Sequence, residues 1–124
     1  MYVAAGLAGV LHVVFFFMES VWWMKPWVQR AFTVDDQQAR TMKLMAFNQG
    51  FYNLFLAGGA FVGIGLAADG RTAEGVALTT FACASMLGAA VVLAGSRRRM
   101  AAGAILQGIF PLVYMVLLAA RLAS

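Results

Sequence analysis

Three side-chain amides and a phenol crowd one apolar stretch, Ala46-Phe47-Asn48-Gln49-Gly50-Phe51-Tyr52-Asn53-Leu54. Hydrocarbon offers such groups no partners, so Asn48, Gln49, Tyr52 and Asn53 must face protein, water or a ligand. On a helix turning about 100° per residue they fall within an arc of roughly 140°. His12 and Glu19 lie seven residues apart and share a helix face, with Phe15 and Phe16 between them and Trp23 one turn on. Gln107 shares its face with Gly103, Pro111 and Tyr114.

Glu19 is the hardest of these to explain as packing alone. A carboxylate inside a membrane is costly unless it is neutral or paired. No Lys or Arg lies deep in a span, and Lys25 should snorkel outward. A protonatable acid beside amides and aromatics suits acid–base chemistry on a lipophilic substrate. Glu19 would give or take the proton, and His12 would orient it or stabilise developing charge. Asn48, Gln49, Asn53 and Gln107 would fix a polar head group, while Trp23, Phe16 and Tyr52 would line the apolar part. The same acid would equally hold a cationic amphiphile for proton-coupled export, with cation–π contacts from the aromatics.

Plainer roles exist for the same residues. Membrane amides often serve only as interhelical hydrogen-bond glue, worth about 0.6 kcal/mol each, and a lone histidine is more often a satisfied core residue than a ligand. Metal binding is not expected, because His12 and Glu19 have no further Cys or His set to join. Haem ligated by His12 is the one cofactor the inventory leaves open. Cys83 is the single cysteine, so no intrachain disulfide forms. Nucleophilic triads, phosphate loops and nucleic-acid motifs are absent.

These residues must be positioned by membrane helices. The chain of 124 residues is 63% hydrophobic and 11% charged, with a mean hydropathy of +0.82, whereas a soluble domain has about 25% charged residues. Four apolar runs, about 2–24, 42–68, 74–95 and 100–122, each reach the roughly 20 residues that a bilayer requires. The first lacks a basic leader and a small-residue cleavage site, so it reads as a span rather than a signal peptide. The expected fold is an all-α, four-helix transmembrane bundle, one integral membrane domain over 1–124.

Lys25, Arg30, Arg40 and Lys43 flank the first loop, Arg97, Arg98 and Arg99 occupy the third, and only Arg71 and Arg121 lie on the opposite side. Seven cations against two predict a cytoplasmic loop 25–41 and both termini extracytoplasmic. The net charge of +4 then meets lipid head groups, not nucleic acid. Trp22, Trp23 and Trp27 form an aromatic belt at that boundary, and Trp27 to Phe32 should lie along the interface. Asp35 and Gln38 have the spacing of a capping pair, so the second helix should start near Asp36 and project from the membrane as one continuous helix.

At a rise of about 1.5 Å per residue, Glu19 lies ~7 Å inside the cytoplasmic boundary, Asn48, Gln49 and Gln107 ~10 Å, Asn53 ~16 Å and His12 ~18 Å. The polar groups of three spans thus share one slab. Pro111 removes a backbone donor and should kink the fourth span just beyond Gln107. Arg40 to Leu54 overlays Arg98 to Leu112 without a gap, which would set Gln49 opposite Gln107. Span three has no strong polar group but carries Ala77, Ala84, Gly88 and Gly95 on one line, an expected packing seam, and Gly59 and Gly63 are spaced for close helix contact.

His12 and Glu19 with the tryptophans after them, the Asn48-Gln49-Gly50-Phe51-Tyr52-Asn53 run, and Gln107-Gly108 with Pro111 together resemble the small four-span bacterial membrane proteins grouped as domain of unknown function 1304. The resemblance covers nearly the whole chain and implies a fold rather than an activity. Sterol isomerases of the emopamil-binding type and small multidrug transporters share only an inventory of residues with it, without an alignable motif.

The resulting expectation is a multi-pass protein of the bacterial cytoplasmic (inner) membrane with an intramembrane pocket for a lipophilic small molecule, possessing acid–base isomerase activity in its strongest form. A proton-coupled exporter and an accessory membrane subunit without a ligand are the alternatives. Membrane lipids and further copies of the chain, as a homo-oligomer, are the expected partners.

Overall fold

A computed structural model describes residues 1–124. The chain is helical throughout: α1 (Tyr2–Phe16), a π-helical turn (Phe17–Val21), α2 (Pro26–Ala31), α3 (Asp36–Thr41), α4 (Lys43–Ala68), α5 (Thr72–Ser96), a 3-10 turn (Arg98–Met100) and α6 (Ala101–Ala123). Four segments are long and apolar enough to cross a membrane: Tyr2–Val21, Lys43–Ala68, Thr72–Ser96 and Arg98–Ala123. Neighbours in sequence are neighbours in space, α1 on α4, α4 on α5 and α5 on α6, and α6 returns to α1 to close the bundle.

Small residues set how closely these helices approach. The buried positions of α4 are Ala46, Gly50, Asn53, Ala57, Ala60 and Gly63. Asn53 is the one polar group on a face otherwise limited to Ala and Gly. Lipid tails are as apolar as Leu, so such a face gains by letting backbones touch. Helices α4 and α5 approach closely at Gly63, where a Cβ added to Gly75 would lie 2.7 Å from the Gly63 carbonyl oxygen. At Gly59, the other member of the expected pair, an added Cβ would make only ordinary contact with Ala82 at 3.5 Å.

The seam expected on the third span is not the face that packs within the chain. Ala77, Ala84, Gly88 and Gly95 are all exposed, while Gly75, Thr79, Ala82, Cys83, Met86 and Ala90 face the bundle. Both faces of α5 are rich in small residues. The inward one is decided by its fit against Gly63 and Ala67, which pattern along one helix does not reveal.

The connection from α1 to α4 carries its own small core. Pro26 opens α2, where its missing N–H is not needed. Asp35 caps α3: its Oδ1 accepts from the Gln38 backbone N–H at 2.7 Å, and the Gln38 side chain accepts from the Asp35 N–H at 3.0 Å. The capping pair is thus as expected, but the helix is not continuous. It breaks at Met42 (φ −91°, ψ 0°), which lets α3 fold back over Trp23. The Trp23 indole donates to the Ala39 carbonyl at 2.8 Å, and Trp23, Val28, Val34, Ala39 and Ala46 pack together. A hydrogen bond from Gln29 and the Arg40 guanidinium beside it hold the exposed Asp36 carboxyl below its usual range.

Candidate functional site

The site is built where the first span changes its helical period. At Phe17–Val21 the backbone widens into a π turn, closed by the Trp22 N–H on the Phe17 carbonyl at 2.7 Å. Such turns are rare and often mark functional positions. Gly50 of α4 lies against it: a Cβ there would collide with Ser20 Oγ and come within 3.0 Å of the Phe16 carbonyl. The Ser20 hydroxyl donates to the Phe47 carbonyl at 2.7 Å across the same contact. Gly50 therefore lets the π turn sit on α4, and one turn further along α4 Asn53 meets Glu19. The Asn53 amide donates to Glu19 Oε1 at 2.6 Å, and both residues are buried.

Beside this pair lies a cavity of about 250 Å³. Glu19, Asn53, Gln49, Gln107 and Arg97 supply its polar groups, drawn from the π turn, α4, α6 and the α5–α6 connection. Phe15, Met18, Trp23, Met45, Leu93 and Leu106 are among the apolar walls, and Ala31, Phe32 and Met100 lie where the two loops meet over it. Gln49 and Gln107 line one space, as the internal overlay implied. Pro111 stays inside an unbroken α6 and leaves the Gln107 carbonyl without its usual donor four residues on. Water or a ligand can satisfy Gln49, Gln107 and that carbonyl, since each faces or adjoins the cavity.

The expected site residues are divided by the structure. Glu19, Trp23, Gln49, Asn53 and Gln107 come together, whereas His12, Phe16, Asn48 and Tyr52 do not line the cavity. Tyr52 is 66% exposed on the outer face of α4, and Asn48 turns back to donate to the Leu44 carbonyl at 2.9 Å. The reason is angular. Asn48 and Tyr52 occupy one side of the 140° arc and Gln49 and Asn53 the other; Asn53 is buried against the neighbouring helices, while Gln49, itself exposed, borders the cavity. Phe16 packs edge-on against Phe51 at a centroid distance of 5.1 Å.

His12 is fully enclosed and stands apart from Glu19. Its Nδ1 lies 2.8 Å from the Ala8 carbonyl, which can only accept, so Nδ1 carries the hydrogen. Nε2 is left as a buried acceptor without a partner. No open face at His12 would admit a haem iron, and no group of three His, Cys, Asp or Glu side chains is placed to hold a metal ion.

Most of the lining was missed in the sequence, and two of those residues matter most. Arg97 reads as one of three loop arginines, yet it is partly buried and lines the cavity beside Met100. Phe32, expected to lie along the membrane interface, packs edge-on against Trp23 at 5.2 Å and lines the cavity as well. Both roles depend on contacts between segments distant in sequence.

A sequence model of a family described as "Protein of unknown function (DUF1304)" matches residues 6–119 of the chain. No curated protein and no solved structure matches it.

Proposed function

The chain belongs to the DUF1304 family, and we propose that its intramembrane cavity binds a lipophilic small molecule carrying a polar group. The observation behind this is the convergence of Glu19, Asn53, Gln49, Gln107 and Arg97, from four separate elements, on one otherwise apolar space. Amides that only join helices spend their bonds across the bundle. Here Asn53 bonds to Glu19, but Gln49 and Gln107 make no side-chain bond across the bundle and face the cavity instead. Apolar walls with a few convergent polar groups are the usual form of a small-molecule site.

Within this reading Glu19 is the one titratable carboxyl that lines the cavity, and the entry lies at the loop 25–41 end, in the cytoplasmic leaflet of a bacterial inner membrane. Isomerase chemistry resting on Glu19 and His12 together gains no support, since His12 is sealed outside the cavity. Export would require the opposite end of the bundle to open where Ala5, Cys83 and Tyr114 pack tightly. Binding, with or without a proton step at Glu19, is the function the geometry supports best.

Native mass spectrometry of the full chain released from lipid nanodiscs tests this. A bound small molecule is expected with the wild type and not with Gly103→Phe. That variant fills the cavity from a wall where an added Cβ meets only the flexible tip of Met100, at 3.1 Å. No adduct on the wild type, or an adduct that persists in a stably folded Gly103→Phe, would refute the binding site.

A further inference from the structure

We propose that the cavity's ligand is a single-chain amphiphile with an anionic head group, that Arg97 receives the head, and that the turn around Thr33 is a strap the head displaces. This rests on the cavity being a ligand site and adds the class of ligand and its gate.

Arg97 is the only cation lining the cavity, and no carboxylate pairs with it; the chain's two ion pairs are Arg40–Asp36 and Arg71–Glu74. Its guanidinium spends one donor on the Thr33 carbonyl at 3.3 Å, a long and exposed bond. The rest of its planar fork remains free, and that fork matches a carboxylate or phosphate in two-point contact. Arg98 and Arg99 follow directly and raise the positive potential at the entrance.

The polarity of the cavity sets the direction of the ligand. Arg97 is its one cation and attracts an anionic head, whereas Glu19 is a carboxyl bonded to Asn53 and offers an anion no positive charge. A cationic amphiphile would have to pass three arginines to reach Glu19. The chain of an anionic amphiphile would then lie against Phe15, Met18, Met45 and Leu106, where unbranched Met side chains adapt to its shape.

The strap is the short turn between α2 and α3. Ala31 and Phe32 line the cavity from one side and Arg97 and Met100 from the other. Two weak contacts join these sides: the Arg97 bond to the Thr33 carbonyl, and the approach of the Thr33 hydroxyl, whose hydrogen goes to the Phe32 carbonyl at 2.7 Å, to Met100 Sδ at 3.8 Å. Thr33 also holds a positive φ of 55°, which a β-branched residue rarely adopts. A head group that engages Arg97 takes away the donor that holds this turn closed, so ligand entry and strap release are coupled.

The test uses the full chain in nanodiscs of zwitterionic lipid with Trp22→Phe and Trp27→Phe, which leaves Trp23 as the only indole and a wall of the cavity. Tail-brominated dodecanoate, dodecanol and dodecylamine are the probes, read by saturable quenching. Dodecanoate is expected to bind tightest and to weaken on the order of tenfold or more in Arg97→Gln, as loss of a charge-assisted contact implies, with Arg97→Lys intermediate and dodecanol unchanged. Equal binding of the neutral or cationic probe, or no effect of Arg97→Gln, would overturn the anionic class while leaving a binding site in place. No saturable quenching by any probe would remove the site itself. For the strap, Thr33→Cys with Met100→Cys in a Cys83→Ala chain should crosslink and slow dodecanoate binding until reduced. An unchanged rate in the crosslinked protein would overturn the gate.

Discussion

Gly50→Ala adds one methyl group where α4 meets the π turn, and its sign is informative. In a free helix, alanine is better than glycine by about 1 kcal/mol. Here the new methyl would strike Ser20 Oγ and approach Ser20 Cβ and the Phe16 carbonyl to 3.0 Å. Rotating Ser20 relieves the first collision but gives up its hydrogen bond to the Phe47 carbonyl, worth about 1 kcal/mol. The backbone carbonyl cannot rotate away, so α4 must shift, and overpacking of this kind typically costs about 1–3 kcal/mol. The expected net is a destabilisation of about 1–3 kcal/mol, a fall in Tm of at least about 3 °C for a chain of this size. The shift should also draw Asn53 away from Glu19. Cys83 is the only thiol and is buried, so its reaction with a thiol-activated dye on heating reports unfolding directly. Ser20→Gly removes two of the three close atoms, so the double variant should recover part of the loss. If Gly50→Ala instead raises Tm, as in an unpacked helix, the contact that positions Glu19 is not there.

Three further outcomes follow from the same geometry. A double-mutant cycle with Glu19→Gln and Asn53→Leu, read by reversible unfolding in mixed micelles, should give a coupling of about 1 kcal/mol or more for a buried hydrogen bond to a carboxyl; additive effects would deny the pair. Gly88→Leu lies on the exposed face of α5, where an added Cβ meets nothing within 4 Å. It should leave Tm within about 1 °C while lowering the oligomer mass on size exclusion, and an unchanged mass would show that this face meets only lipid. In a Cys83→Ala chain, impermeant thiol labelling of intact cells should reach Arg71→Cys and not Ser96→Cys, whereas the reverse would invert the orientation drawn from seven cations against two.

Span number, approximate span limits and the Asp35 capping box were readable in the sequence because each depends on local chemistry. A run of about 20 apolar residues has no other stable home, and Asp at a cap with Gln at N3 satisfies two backbone donors without help from the rest of the fold. The slab shared by Glu19, Gln49, Asn53 and Gln107 was readable too, since depth follows from residue count and helical rise. Azimuth was not. In water an apolar stripe points to the core, but in a membrane core and lipid are equally apolar, so hydrophobic pattern barely distinguishes inside from outside. That is why Asn48 and Tyr52 could be grouped with Gln49 and Asn53, and why pattern alone did not tell which small-residue face of α5 packs within the bundle. The π turn at Phe17–Val21 changes which residues of the first span share a face, and it separates Glu19 from the straight-helix relation to His12 that spacing alone implied. Arg97, from the α5–α6 connection, and Phe32, from loop 25–41, meet at the cavity although far apart in sequence. Those placements depend on which surfaces meet in three dimensions, and only the tertiary structure decided them.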